Sequence, residues 1–417
     1  MSTLILNLTK SRPAADASPL GMRDVTRLFV MLAMVVSGIV FTEPAPVDLI
    51  IMGLIGLLPL VGLQRYTPAL ALYLMLWLVC GAGALLASTM SEEWQRSATH
   101  AGVSIYLYAA SFVLAAFIAH TPRAHTELMF RAWVAGALVA ASAALIGYFG
   151  LFPGAHDLFT KFGRAAGTFK DPNVLGPFLA PAILYCLLIA VGGPFRRALL
   201  PLAIAGFLSL ALLLSFSRGA WINMGVAFAV FGYALLVTTR DAQARLRMLL
   251  LGSVGLLAVA LIVVAALQID SIAALMAERS SFSQGYDVGP EGRFGGQEKA
   301  KGLILDHVLG IGALQFGSQF HHEDVHNVYL SMFLNAGWLG GLVYFSVVAL
   351  TMALGLAHIA RATPWRPLFI VAYAALAGNV VEGIVIDTDH WRHFYLLLAI
   401  VWGLMSAQGT SNAKEVR

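Results

Sequence analysis

The chain has 417 residues, of which 59% are hydrophobic and only 12% charged, with a mean hydropathy of +0.80 and a formal net charge of +4. Charged residues approach a quarter of a soluble domain, so this composition excludes a soluble fold and defines an integral membrane protein. Cys80 and Cys186 both lie within apolar runs and form no disulfide or metal pattern.

In chain order, the first thirty residues are polar and basic up to Arg27 and lack the small-residue cleavage site of a secretory signal. Apolar runs long enough to span a bilayer follow at roughly 27–41, 48–62, 67–88, 100–118, 131–150 and 173–192. The second half gives runs at roughly 198–214, 219–238, 248–267, 327–357, 367–386 and 394–407. The expected fold is therefore all-α, with about twelve transmembrane helices in one polytopic membrane domain covering residues 1–417. The tenth run is too long for one upright helix, and its glycines, up to residue 341, predict a kink or an interfacial first part. The last residues, after Ser406, read as a short polar tail.

Basic residues orient these spans. With the N-terminus inside, the cytoplasmic segments hold 16 of the 26 lysines and arginines, whereas about 17 of the 22 carboxylates fall on the other face. Both termini are then cytoplasmic, and the positive charge is an orientation signal that does not imply nucleic acid. Two outer segments are long: residues 151–172, and residues 268–326 between the ninth and tenth spans. A connection of nearly sixty residues exceeds what joining two helices requires, and it is expected to be folded and functional.

The chemistry-bearing residues gather on this outer face. Arg164 lies in Gly163-Arg164-Ala165-Ala166-Gly167-Thr168-Phe169-Lys170-Asp171-Pro172-Asn173, which leads into a helix. Asp171 or Asn173 can cap that helix, and its amides with Arg164 and Lys170 would form an anion site; a capped helix with a few interfacial cations is the plainer reading. Arg218, in Ser217-Arg218-Gly219-Ala220, falls between two apolar runs with almost no loop, where an arginine must snorkel or be paired. Arg279 and Arg293 belong to the long loop, the latter within Gly292-Arg293-Phe294-Gly295-Gly296. Glu382, within or near the eleventh span, is an intramembrane acid of the kind that marks a site or a proton path, or a paired acid at the interface.

The richest stretch is His321-His322-Glu323-Asp324-Val325-His326-Asn327. Residues 322–326 satisfy the H-E-x-x-H pattern of helical zinc proteases, which requires both histidines on one helix face and a third ligand; Glu382, Asp387, Asp389, His390 and His393 are candidates. Alternatively, His326 acts alone as a base on a sugar hydroxyl, or simply anchors the interface through hydrogen bonds.

From His326 onward the chain resembles the signature of bacterial O-antigen ligases and surface-polysaccharide polymerases: His, then Asn, Ser or Gln, nine residues, Gly, two residues, and Gly, Thr or Tyr. Here it reads His326-Asn327, nine residues, Gly337-Trp338-Leu339-Gly340. Arg164-Ala165-Ala166-Gly167 before a helix, Ser217-Arg218-Gly219, and Gly292-Arg293 with Gly310-Ile311-Gly312 are similar to further elements of that family. The resemblance covers roughly residues 160–345. It implies a metal-independent, cofactor-free, inverting glycosyltransferase of the GT-C kind in the bacterial inner membrane, working on the periplasmic face. Its donor would be a glycan on undecaprenyl diphosphate, and its acceptor lipid A core or a growing glycan. By resemblance, His326 activates the acceptor hydroxyl, Arg218 and Arg293 stabilise the leaving diphosphate, and Arg164, Lys170, Asn173, Arg279, Asn327 and Glu382 contribute to substrate binding. No arginine among Arg164, Arg218, Arg279 and Arg293 is followed by Leu four positions on, as in an element described for ligases, so ligase and polymerase both stay open. An O-linked protein glycosyltransferase, a secondary transporter and a membrane zinc protease are the rival readings. The transporter is disfavoured because no paired half is visible and the polar groups gather at one face rather than at the midplane.

Overall fold

The structure is a computed structural model describing residues 21–270, 273–274, 276–277 and 289–407. Arg279 lies outside the described residues. Among those described the protein is almost wholly helical, because a backbone in lipid must satisfy its own hydrogen bonds. The helices are α1 (Met22–Val36), α2 (Pro46–Val61), α3 (Pro68–Ser88), α4 (Trp94–His120), α5 (Pro122–Tyr148) and the short α6 (Ala155–Phe159). They continue as α7 (Pro172–Gly192), α8 (Phe195–Leu214), α9 (Arg218–Thr238), α10 (Ala242–Ala266) and α11 (Arg293–Asp306), and end with α12 (Val328–Ile359), α13 (Arg366–Glu382) and α14 (Arg392–Ser406). Seven of them, α3, α4, α5, α7, α9, α12 and most of α8, are long and apolar enough to cross a membrane by length and composition. The chain is thus an all-α membrane protein.

The described residues form two compact units. The first takes in residues up to Leu63, Glu127–Ser217 and the stretch from Phe228. Within it α7 packs along α8, and a two-stranded hairpin pairs Thr160 with Ala165 and Lys161 with Arg164. The segment after this hairpin is tied to the end of α1: the amide of Val40 donates to the Thr168 carbonyl at 2.8 Å, and the Thr168 hydroxyl donates to the Gly38 carbonyl.

The second unit takes in Gln64–Thr126, Arg218–Ala227 and the described residues from 289 on. Here α3 packs along both α4 and α12, and α14 along α4. Lipid gives helices no hydrophobic reason to associate, so close packing and buried polar contacts hold them together. Both are present. A Cβ on Gly83 would stand 2.7 Å from the Ala336 carbonyl oxygen and 2.8 Å from the Gly340 nitrogen, so the α3 and α12 backbones nearly touch. Nearby, Trp77 stacks on Tyr108 at 4.2 Å, Tyr73 on Trp402 at 4.7 Å, and the Ser111 hydroxyl donates to the Tyr395 carbonyl at 2.9 Å.

The described residues leading into α12, from 289 on, are folded. Ala300, Ile304, Ile311, Phe316, Val325 and Leu334 form a small core between α11, the following turn and the start of α12. The kink expected in the tenth run falls at Gly337, whose φ of 65° and ψ of −175° interrupt α12.

Candidate functional site

His326 sits in a loop that three hydrogen bonds hold in place. Residues 321–327 are not helical, and α12 begins at Val328. His322 and His326 therefore do not share a helix face, and the geometry of a helical zinc protease is not formed. His326 instead adopts a left-handed backbone with φ 52°, a conformation that costs an ordinary residue roughly 1–2 kcal/mol. Asp387 accepts its amide proton at 3.0 Å, and Gln297 Nε2 donates to its carbonyl at 3.2 Å. Two residues on, the amide of Val328 donates to the Gly383 carbonyl at 2.9 Å. The imidazole remains about 30% exposed, with Nε2 3.8 Å from Glu323 Oε2.

Asp387 comes from the loop between α13 and α14, and it also accepts from the Ser331 hydroxyl one turn into α12. Burial, and then its neighbour Asp389, push its carboxyl up to about 7, against the lowering effect of the Ser331 and His326 hydrogen bonds. Asn327 is the N-cap of α12: its side-chain oxygen accepts from the amides of Tyr329 at 3.1 Å and Leu330 at 3.3 Å. Its side chain thus organises the helix start.

The two glycines of the motif are equally structural. At Gly337 the kink breaks the α12 ladder, leaving the Leu334 carbonyl and the Trp338 amide without helical partners. The turn after α11 supplies both: Ile311 donates to Leu334 at 2.9 Å, and Trp338 donates to Val308 at 2.9 Å. A Cβ on Gly337 would lie 2.7 Å from the Leu309 oxygen, and one on Gly310 would lie 2.6 Å from the Leu334 oxygen. Trp338 also donates its indole N–H to the Ile304 carbonyl at 2.8 Å, which ties α11 to α12. Gly340 faces α3 at the close approach described above.

Arg293 opens α11, with Gly292 as its N-cap. Its Nε is buried and has no hydrogen-bond partner among the described residues. Gln297, the residue that grips the His326 carbonyl, lies one turn further on, so Arg293 and Gln297 share a helix face. Glu382 ends α13 and is fully buried; Asn223 Nδ2 donates to its Oε2 at 2.8 Å, while Oε1 has no partner among the described residues. A Cβ on Gly219 would stand 2.7 Å from that Oε1, so the glycine after Arg218 is what leaves room for the acid. Buried in this way, Glu382 packs against the start of α9. Arg218 itself is the first residue of α9 and half-buried. His326, Asn327, Arg293, Glu382 and Arg218 all belong to the second unit.

Arg164, Lys170 and Asn173 belong to the first unit. Arg164 is only 7% exposed; its Nε donates to the Ser215 carbonyl and its Nη2 to Asn173 Oδ1, both at 2.7 Å. Asp171 caps α7, accepting from the Asn173 amide at 2.7 Å. Lys170 is exposed and reaches Glu43 at 3.6 Å. Asp387, Gln297 and Ser331 were missed as functional neighbours of His326. The only signal was the acid-rich Asp387-Thr388-Asp389-His390 sequence, which reads first as a set of metal ligands.

The fold and this site define a polytopic helical membrane protein with a polar centre built on the first turn of a kinked helix. The family model described as O-antigen ligase matches residues 202–345, which include Arg218, Arg293, His326 and the Gly337-x-x-Gly340 pair, so this stretch is O-antigen ligase-like, and an activity of the ligase and polymerase kind on lipid-linked glycans follows in general terms. Comparison with curated proteins gives no match.

Proposed function

We propose that this protein is a twelve-span inner-membrane glycosyltransferase, with both termini cytoplasmic and its site on the periplasmic side, that transfers or polymerises a glycan from undecaprenyl diphosphate. In this reading the whole chain is one polytopic domain, with residues 151–172 and 268–326 as periplasmic loops. The observation that carries the reading is the grip of Gln297 on the His326 carbonyl, one turn from Arg293: it keeps a partly exposed imidazole and a half-buried arginine, whose buried Nε has no hydrogen-bond partner among the described residues, on one anchored scaffold.

The acceptor hydroxyl attacks the anomeric carbon as its proton passes to the His326 imidazole. The bond from that carbon to the diphosphate oxygen breaks on the opposite side, and undecaprenyl diphosphate leaves with the electron pair. The anomeric centre is inverted. Charge grows on the departing oxygen, where a guanidinium can form two parallel charge-assisted hydrogen bonds. Arg293 and Arg218 take that role. No step needs a metal ion. His326 is a suitable base because a neutral imidazole accepts a proton near physiological pH.

Complementation tests this reading in a host lacking its own ligase or polymerase, with wild type and His326→Ala compared at equal membrane levels. Lipopolysaccharide and undecaprenyl-linked polymer are read on the same gel. Polymer joined to lipid A core by wild type alone identifies a ligase, and longer lipid-linked chains without attachment identify a polymerase. Equal activity of His326→Ala would make the histidine structural and the mechanism wrong.

A further inference from the structure

A second cluster lies beside the first within the same unit and has no part in the chemistry above. His100, near the start of α4, and His390, in the loop between α13 and α14, stack face to face with centroids 3.7 Å apart and planes 19° apart. Asp389 stands next to them, its Oδ2 3.9 Å from His100 Nε2, and it is only 7% exposed. One ligating atom from each of the three residues lies within 4.8 Å of the others.

We propose that His100, Asp389 and His390 bind a divalent first-row transition metal, with zinc the best fit, and that the ion fastens the α13–α14 loop to α4. Two imidazoles and a largely buried carboxylate whose ligating atoms lie within reach of one another are the donor set of such a site. A zinc ion takes both rings in the neutral form together with the carboxylate, and water completes the tetrahedron. Zinc bonds of about 2.0–2.2 Å put tetrahedral ligand atoms roughly 3.4 Å apart, and because parallel rings aim their lone pairs side by side, the two imidazoles swing out of their stack so that both nitrogens meet the ion.

The surroundings suit a structural site. The Ser104 hydroxyl, one turn beyond His100, is 2.9 Å from His390 Nε2, and such partners orient histidine ligands. The Tyr395 hydroxyl donates to the Asp389 carbonyl at 2.7 Å, which fixes the ligand's backbone. Asp387, which holds the His326 amide, is two residues before Asp389 on the same loop, so an ion here steadies that loop without touching reacting atoms. Glu291, His321 and His322 form another cluster, but the Glu291 and His322 side chains are 84% and 57% exposed, and it lacks this enclosure.

The test is metal retention by tag-free, full-length protein in detergent, stripped with chelator, reloaded with zinc and passed over a desalting column; it does not depend on glycosyl transfer. Wild type and His322→Ala are expected to retain about one zinc per chain, and the His100→Ala/His390→Ala double variant none. Cobalt in place of zinc should give wild type the visible absorption of a tetrahedral site. Retention of nothing by wild type overturns the proposal, as does equal retention by the double variant. Should the double variant fail to fold, thermal unfolding of stripped wild type decides: zinc must raise the midpoint where magnesium does not, and no rise refutes the site.

Discussion

Replacing Asp387 with alanine removes the acceptor that holds the His326 backbone, and the structure sets the size of the effect. Asp387 accepts two protons, one from the Ser331 hydroxyl and one from the His326 amide at 3.0 Å. Ser331 lies in the first turn of α12, where its hydroxyl can turn to a backbone carbonyl of the preceding turn. The His326 amide loses the acceptor it has here, and a part-buried donor left unsatisfied costs about 1–3 kcal/mol. That is enough to undo the left-handed backbone of His326, itself strained by roughly 1–2 kcal/mol, and the loop then relaxes to extended geometry and carries the imidazole away. At about 1.4 kcal/mol for each tenfold change, turnover should fall about ten- to a hundredfold. Asp387→Asn keeps an acceptor of the same shape and should hold within several-fold of wild type. Initial rates of lipid-linked glycan consumption in membranes with equal protein give the comparison. An alanine variant as active as wild type would show that His326 is not placed by this hydrogen bond, or that its placement does not matter.

Arg293→Ala and Arg293→Lys should both fold like wild type, since the buried Nε holds no hydrogen bond, yet lose on the order of 100-fold in turnover; a lysine that restores activity would remove the need for a planar fork. Gly337→Ala meets the Leu309 oxygen at 2.7 Å from a backbone only glycine adopts readily, so a loss above about 3 kcal/mol should appear as a collapsed monodisperse peak in size exclusion. Gly219→Ala pushes on Glu382 Oε1, and Glu382→Ala should relieve it: the double variant should melt above the sum of the single losses by about 1 kcal/mol, and strict additivity would deny the contact.

Much of the fold was legible in the sequence because the bilayer leaves few options. Each apolar run must close its own hydrogen bonds, so runs placed at 67–88 and 219–238 meet helices at Pro68–Ser88 and Arg218–Thr238 within a residue or so. The kink was legible through its glycines. What escaped reading is what connects distant segments. Asp387 stands 61 residues after His326, in a polar loop without periodicity, and nothing local marks it as the acceptor for that amide. Gly219 reads as part of a Ser-Arg-Gly element, while its reason, room for Glu382, lies 163 residues away. The H-E-x-x-H pattern misleads because it presumes a helix, and the helix starts only after Asn327 caps it.

The most direct test of the central claim is release of undecaprenyl diphosphate by the purified protein in nanodiscs, given a lipid-linked glycan and either lipid A core or a second glycan as acceptor. Wild type should release it only with an acceptor present, in step with product carrying the inverted linkage, and His326→Ala should release it at least about 100-fold more slowly. Acceptor-dependent release by His326→Ala at the wild-type rate, or none by wild type with either acceptor, would contradict the account.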